Sequence, residues 1–177
     1  MGYYQEFEEY ARARQSRLYR TAVLLCGDTH GAQDLVQNTL VRLLRYWPRA
    51  MRADNIDAYA RAVLTRTFLA EQRRGLLSRR AHAVQDNPTA PGDPALRVTL
   101  LAALGELPPR ARAMLILRYW EDLSVATVAG LMRCGQSTVR STCSRSLALL
   151  RDRLDDAELR AEPYADFYAS LGAEPHH

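Results

Sequence analysis

Residues 81–94, AHAVQDNPTAPGDP, break a chain that is otherwise helical in pattern from end to end. Three prolines and a glycine in fourteen positions, with almost nothing to bury, read as a linker. At 177 residues the chain has room for one ordinary domain or two small ones, and this break argues for two. The expected architecture is all-α: a helical domain over 1–80, a flexible linker over 81–94, a second helical domain over 95–154 and a tail over 155–177.

In the first block, Phe7, Tyr10, Ala11, Leu18, Ala22 and Leu25 recur at helical steps, predicting a helix from about Tyr3 to Cys26. Gly27-Asp28 stops it, and Asp28 or Thr29 caps the next, from about Gly31 to Trp47. Pro48 ends that helix, because the residue before a proline avoids the helical region, and 48–54 reads as a loop. Asn55 caps a third helix, about Ile56 to Arg80. In the second block the pattern predicts helices over Ala95–Glu106, Arg110–Trp120, Ser124–Met132 and Gln136–Leu154. No strand signal extends beyond a few residues.

A net charge of +4 conceals segregation. Residues 1–80 hold 14 Arg against 8 acids, residues 81–104 come to −1, residues 105–154 hold 8 Arg against 4 acids, and residues 155–177 hold one Arg against 6 acids. Every basic side chain is Arg. Two basic blocks suit a polyanionic partner. Three cysteines make no disulfide framework and suit a reducing cytosol. No apolar run approaches the roughly 18 residues of a membrane span, so a cytoplasmic location without membrane association is expected.

The strongest local signal is LSVATVAGLMRCGQSTVRSTCSRSLALL, residues 123–150. A short helix, a three-residue turn and a longer helix make a helix-turn-helix. Val139, Cys143, Leu147, Leu150 and Leu154 form an inward stripe on the longer helix. Gln136, Ser137, Thr138, Arg140, Ser141, Ser144 and Arg145 lie off that stripe, and their hydroxyls and guanidiniums can reach base edges and phosphates in a major groove. A solvated face in a helical bundle has the same composition, so both readings stand at this point.

A second signal surrounds Tyr46-Trp47 and the third helix. Trp47, Tyr59 and Phe68 are interleaved with Arg49, Arg52, Arg61, Arg66, Arg73 and Arg74. Aromatic faces stack unpaired bases while guanidiniums hold the backbone of a single strand. Helical phase favours Tyr59 and Phe68 as core, and leaves Trp47 and the arginines open between strand contact and solvated surface. The histidines are scattered, no four ligands converge on a zinc geometry, and no phosphate loop or nucleophile elbow occurs. Neither a cofactor, a metal nor a catalytic residue is expected, and an enzyme is not.

These blocks, in this order, resemble the extracytoplasmic-function sigma factors of bacterial RNA polymerase, in particular the actinobacterial SigE-like group. GDTHGAQDLVQNTLVRLLRYW with NIDAYARAVLTRTFLAEQRR carries the likeness in the first block, and LPPRARAMLILRYWEDLS with STVRSTCSRSLALLR in the second. The resemblance implies a sigma region 2 domain and a sigma region 4 domain. It assigns Asp34, Leu35, Gln37 and Asn38 to docking on the β′ coiled coil of the polymerase core. Trp47, Arg49, Arg52, Arg61 and Arg66 fall to the melted −10 strand. Gln136, Ser137, Thr138, Arg140, Ser141 and Arg145 fall to the −35 duplex, with that domain seated on the β flap. An anti-sigma factor is a further partner the family implies.

Several positions depart from the family pattern. Gln33 and Asn38 replace usual carboxylates, Arg66 a frequent Asn, and Thr127 a common Glu. Arg133 replaces the turn glycine, and Gly135 two residues later suggests a turn shifted in register. The acidic tail lies outside the resemblance. Tyr164, Phe167, Tyr168 and Leu171 fall at helical steps there, which fits either a segment folding back on a basic face or a terminal extension without structure. Two rival functions remain open from the residues alone: a free-standing helix-turn-helix regulator, and a module that sequesters a transcription partner.

Overall fold

The structure, a computed structural model, describes residues 2–75 and 94–156. The chain divides into two compact units, Met1–Gln85 and Asp86–His177, with the boundary inside the Pro-rich segment. The expected linker up to residue 93 and the tail from residue 157 lie outside the described residues.

In the first unit α1 spans Tyr3–Cys26, α2 Thr29–Arg45, α3 Trp47–Met51 and α4 Ile56–Arg73. Gly27 ends α1 at φ 79°, donating its N–H to the Val23 carbonyl at 2.8 Å. Its missing Cβ makes that left-handed cap accessible. The Asp28 carboxylate then caps α2 by accepting from the Gly31 N–H at 2.6 Å. Asn55 caps α4 in the same way, accepting from Ala58 at 3.0 Å. α1 packs on α2, and α4 packs on both. Leu18, Ala22, Leu25, Ala32, Leu35, Leu43, Leu64 and Phe68 are buried between them.

The expected loop after Trp47 is in part a helical turn, α3. Pro48 sits in its first turn, where a missing N–H costs nothing, and the Arg49 and Ala50 N–H groups donate to the Tyr46 carbonyl at 2.9 and 3.0 Å. α4 stops at Arg73 rather than Arg80, with Gly75 at φ 68° two residues on, and 76–80 are outside the described residues.

The second unit comprises α5 (Pro94–Glu106), α6 (Pro109–Leu115), α7 (Val125–Met132) and α8 (Gln136–Asp156). The expected single helix Arg110–Trp120 is α6 running into a π-helical turn over Ile116–Trp120, where the Glu121 N–H reaches back five residues to the Ile116 carbonyl at 3.0 Å. Pro94, counted with the linker, is instead the first residue of α5, another first-turn proline. α8 packs against α5, α6 and α7. Its expected stripe of Val139, Cys143, Leu147, Leu150 and Leu154 is buried throughout.

Candidate nucleic-acid interface

The helix-turn-helix is closed by a left-handed residue. Arg133, at φ 53° and ψ 52°, donates its N–H to Gly130 at 3.3 Å, while Cys134 donates to Ala129 at 3.0 Å. These two bonds make a Schellman cap with Arg133 where glycine is usual. The turn therefore keeps its ordinary register, against the expectation of a shift. Gly135 has no positive φ, and a Cβ there would meet nothing nearer than the Ser137 hydroxyl at 3.7 Å.

Arginines inside the second unit hold this frame. Arg110 donates to the Met132 carbonyl at 2.7 Å, tying α6 to the end of α7. The buried Arg112 donates to the Gly105 and Leu107 carbonyls, both at 3.1 Å, and so satisfies the C-terminus of α5. Arg118 donates to Leu123 at 3.1 Å across the bend before α7. Sequence reasoning counted all three within a basic block. The one signal for Arg112 lies in its place in LPPRARAMLILRYWEDLS, the segment that carries the family resemblance in the second block.

With the stripe turned inward, Gln136, Ser137, Thr138, Arg140, Ser141 and Arg145 are all exposed, as is Ser144. Arg140 donates to the Gln136 side chain at 3.3 Å, and the Ser141 hydroxyl donates to the Thr138 carbonyl at 3.2 Å. α8 thus offers a face of hydroxyls, an amide and guanidiniums, a donor-rich set that suits phosphates and guanine edges.

In the first unit Asp34, Gln37 and Asn38 are exposed on α2, and Val41, on the same side one turn later, is 67% exposed. Leu35 is a correction: it is fully buried in the helix interface, so its place in a docking surface is as support. Asn38 donates its amide to Glu71 of α4 at 2.7 Å. Glu71 is itself buried, so a carboxylate at position 38 would face a second one across the helix pair. An ionised carboxylate at position 38 could not make that contact.

Trp47 is the second correction. Only 1% exposed, it packs edge-on against Phe7 at 5.3 Å and tilted against Tyr10 at 5.2 Å, so no base can stack on it here. Its indole N–H has no hydrogen-bond partner among the described residues. Tyr46, its neighbour, is 49% exposed with the Arg45 guanidinium 5.6 Å from its ring centre. Successive residues point in different directions about a helix end, and the larger ring took the interior. Tyr59 is half-buried and Phe68 buried, as their phase required.

Arg49 and Arg52 are exposed on and just after α3, Arg66 is exposed on α4, and Arg61 is half-buried on α4. α3 packs against α4, which brings these four onto neighbouring elements. The network beneath is polar: the Tyr10 hydroxyl donates to Asp57 at 3.0 Å, and Arg14 pairs with the same oxygen at 3.1 Å. Burial, and then the bond to Asp57, push the Tyr10 phenol well above its ordinary range. Among the described residues no cluster of three His, Cys, Asp or Glu side chains could hold a metal ion, and no helix is long and apolar enough to cross a membrane.

Two helical units, the second a helix-turn-helix with an exposed polar face, have the architecture of a multi-part DNA-binding transcription protein, and the comparisons with known proteins give that class. Residues 10–76 match the family Sigma-70 region 2, and residues 97–150 match Sigma-70, region 4. The chain is 36% identical over 166 residues to the RNA polymerase sigma-E factor of Streptomyces coelicolor, covering 91% of this chain and 93% of that one. It is 30% identical to the ECF RNA polymerase sigma factor SigE of Mycolicibacterium smegmatis, covering 84% of this chain and 61% of the relative. Its fold is similar to that of the sigma factor RpoE of Bartonella quintana, solved in complex with the anti-sigma factor NepR, at a TM-score of 0.69 and 21% identity over 85% of this chain and 98% of that one.

The chain belongs to the sigma-70 family of RNA polymerase sigma factors, among the extracytoplasmic-function, SigE-like members. It is a non-enzymatic initiation factor that directs promoter-specific transcription by RNA polymerase. The rival reading as a free-standing regulator falls away, because it has no use for a region 2, and the match of both regions and of the sigma-E relatives supports an initiation factor over a sequestering module.

Proposed function

We propose that the first unit carries core docking and −10 capture, and the second reads the −35 duplex through the outward face of α8. In that reading Gln136, Ser137, Thr138, Arg140, Ser141 and Arg145 meet the duplex, and the remainder of their domain seats on the β flap. Asp34 and Gln37, with Asn38 beside them and Leu35 behind, dock on the β′ coiled coil. Arg49, Arg52, Arg61 and Arg66 hold the non-template −10 strand, with the exposed Tyr46 as the stacking ring in place of Trp47. An anti-sigma factor is a further proposed partner, by likeness to the RpoE–NepR complex. A chain working on bacterial polymerase belongs in the cytoplasm.

The observation that carries this reading is the division of α8 into a buried apolar stripe and an exposed hydroxyl-and-guanidinium face. Promoters obtained by mapping transcript starts after overexpression supply the test duplex. Arg140→Ala in reconstituted holoenzyme should weaken promoter binding and reduce the slope of log K against log salt by about 0.9, one phosphate contact fewer. An unchanged slope would remove Arg140 from the backbone contacts.

A further inference from the structure

Beside the recognition face, the second unit holds a solvent-open cleft of about 320 Å³. The π-helical turn supplies one wall with Arg118 and Tyr119, and α8 supplies the other with Arg140, Ser144 and Arg151. Its floor is apolar, formed by Val139, Cys143 and Leu147. Burial holds the Cys143 thiol and the Tyr119 phenol above their ordinary ranges, so both stay neutral near pH 7. The charge of the cleft is then that of three guanidiniums over an apolar floor. Such a site fits a segment carrying carboxylates and aromatic rings together.

Residues 3–10 have that composition but are committed to α1 of the first unit; a second such segment begins where α8 ends. After Asp156 come 21 residues with Glu158, Glu162, Asp166 and Glu174 against the single Arg160, and with Tyr164, Phe167 and Tyr168 interspersed. From Asp156 back to Arg140 is about 24 Å along the helix axis at 1.5 Å per residue. Eight residues of extended chain, from Asp156 to Tyr164, span about 26 Å. The ring cluster thus starts at the first point from which the whole cleft is within reach, and the acids that precede it pass Arg151 on the way.

We propose that the acidic segment 157–171 docks in this cleft, its rings on the apolar floor and its carboxylates on Arg118, Arg140 and Arg151, and that it must leave before Arg140 and Ser144 can meet DNA. The docking stands on the cleft alone; the competition rests on the assignment of α8 to the duplex. A segment tethered within its own chain competes at a high effective concentration, so weak contacts suffice. Random-sequence DNA would be resisted by the free factor, while polymerase-assisted promoter binding would displace the segment.

The test uses the full chain with a benzophenone amino acid in place of Tyr168. Irradiation followed by peptide mapping should find crosslinks within residues 118–151, and a saturating 20-base-pair random duplex should abolish them. Crosslinks absent from that span would overturn the docking. Cleft crosslinks that persist with the duplex bound, as monitored by fluorescence anisotropy, would overturn the competition. Cleft crosslinks in a chain that binds no duplex would support the docking and fault the reading of α8 instead. As a second readout, Tyr164→Ala/Phe167→Ala/Tyr168→Ala leaves the charge unchanged, so bulk electrostatics predicts no effect. Competition predicts duplex affinity raised about fivefold, and unchanged affinity overturns the competition while the crosslinks alone decide the docking.

Discussion

Arg133 closes α7 in a backbone region where a Cβ costs about 1–2 kcal/mol, a cost glycine avoids. Arg133→Gly should therefore stabilise the second unit by about 1 kcal/mol after glycine's own unfolded-state entropy is set against the relief. Calorimetry should show its melting midpoint raised by about 4–8 °C. A lowered midpoint would mean that the Arg133 side chain contributes more than its backbone costs. Asn38 makes the opposite case, a side chain whose neutrality matters. Asn38→Asp would place a carboxylate about where an amide now donates to the buried Glu71 at 2.7 Å. The introduced carboxyl would hold its proton above the usual range, so its variant loses stability as pH rises through that range. Denaturant unfolding should find the variant near wild type at pH 4 and about 1–3 kcal/mol weaker at pH 7.

At the level of elements, α1 has a task beyond covering α2. Its first half brings Phe7 and Tyr10 against Trp47, and Tyr10 and Arg14 onto Asp57 at the start of α4. The short α3, with Arg49 and Arg52, is thereby fixed between two long helices. Because the Tyr10 phenol titrates above its unfolded value of 10.0, the folded state holds that proton more tightly. Stability from this group is complete below pH 10 and declines as pH rises past it. Tyr10→Phe should lower stability at pH 7 by about 1–2 kcal/mol and remove this group's share of the alkaline decline, measured by unfolding at pH 8 and pH 11. Helices and caps were legible in the sequence because their causes are local. Gly27, Asp28 and Asn55 act on backbone within four residues, and the α8 stripe needs only a period. The burial of Trp47, the π-turn and the task of Arg112 depend on partners that folding brings in, so spacing alone could not separate a stacking ring from a core ring. The left-handed Arg133 was obscured by Gly135, whose permissive backbone suggested a shifted turn that the hydrogen bonds do not make.

Across the whole molecule, the two basic blocks of the sequence fall in different units, and their proposed tasks differ as well. In the proposed assignment core docking lies on α2 of the first unit and duplex reading on α8 of the second, with no residue shared between them. Perturbations confined to each unit should then add in free energy. Gln37→Arg puts a bulky cation into the proposed core-facing surface, and should weaken capture of core polymerase about tenfold or more. The affinity of the free chain for duplex should stay within about twofold, additivity being the expectation for sites that share no partner. Arg140→Ala should do the reverse, sparing core capture while weakening the duplex. The double variant, assayed as holoenzyme on a mapped promoter, should lose the sum of the two free energies. A loss well below that sum would mean that core binding alters how α8 meets DNA.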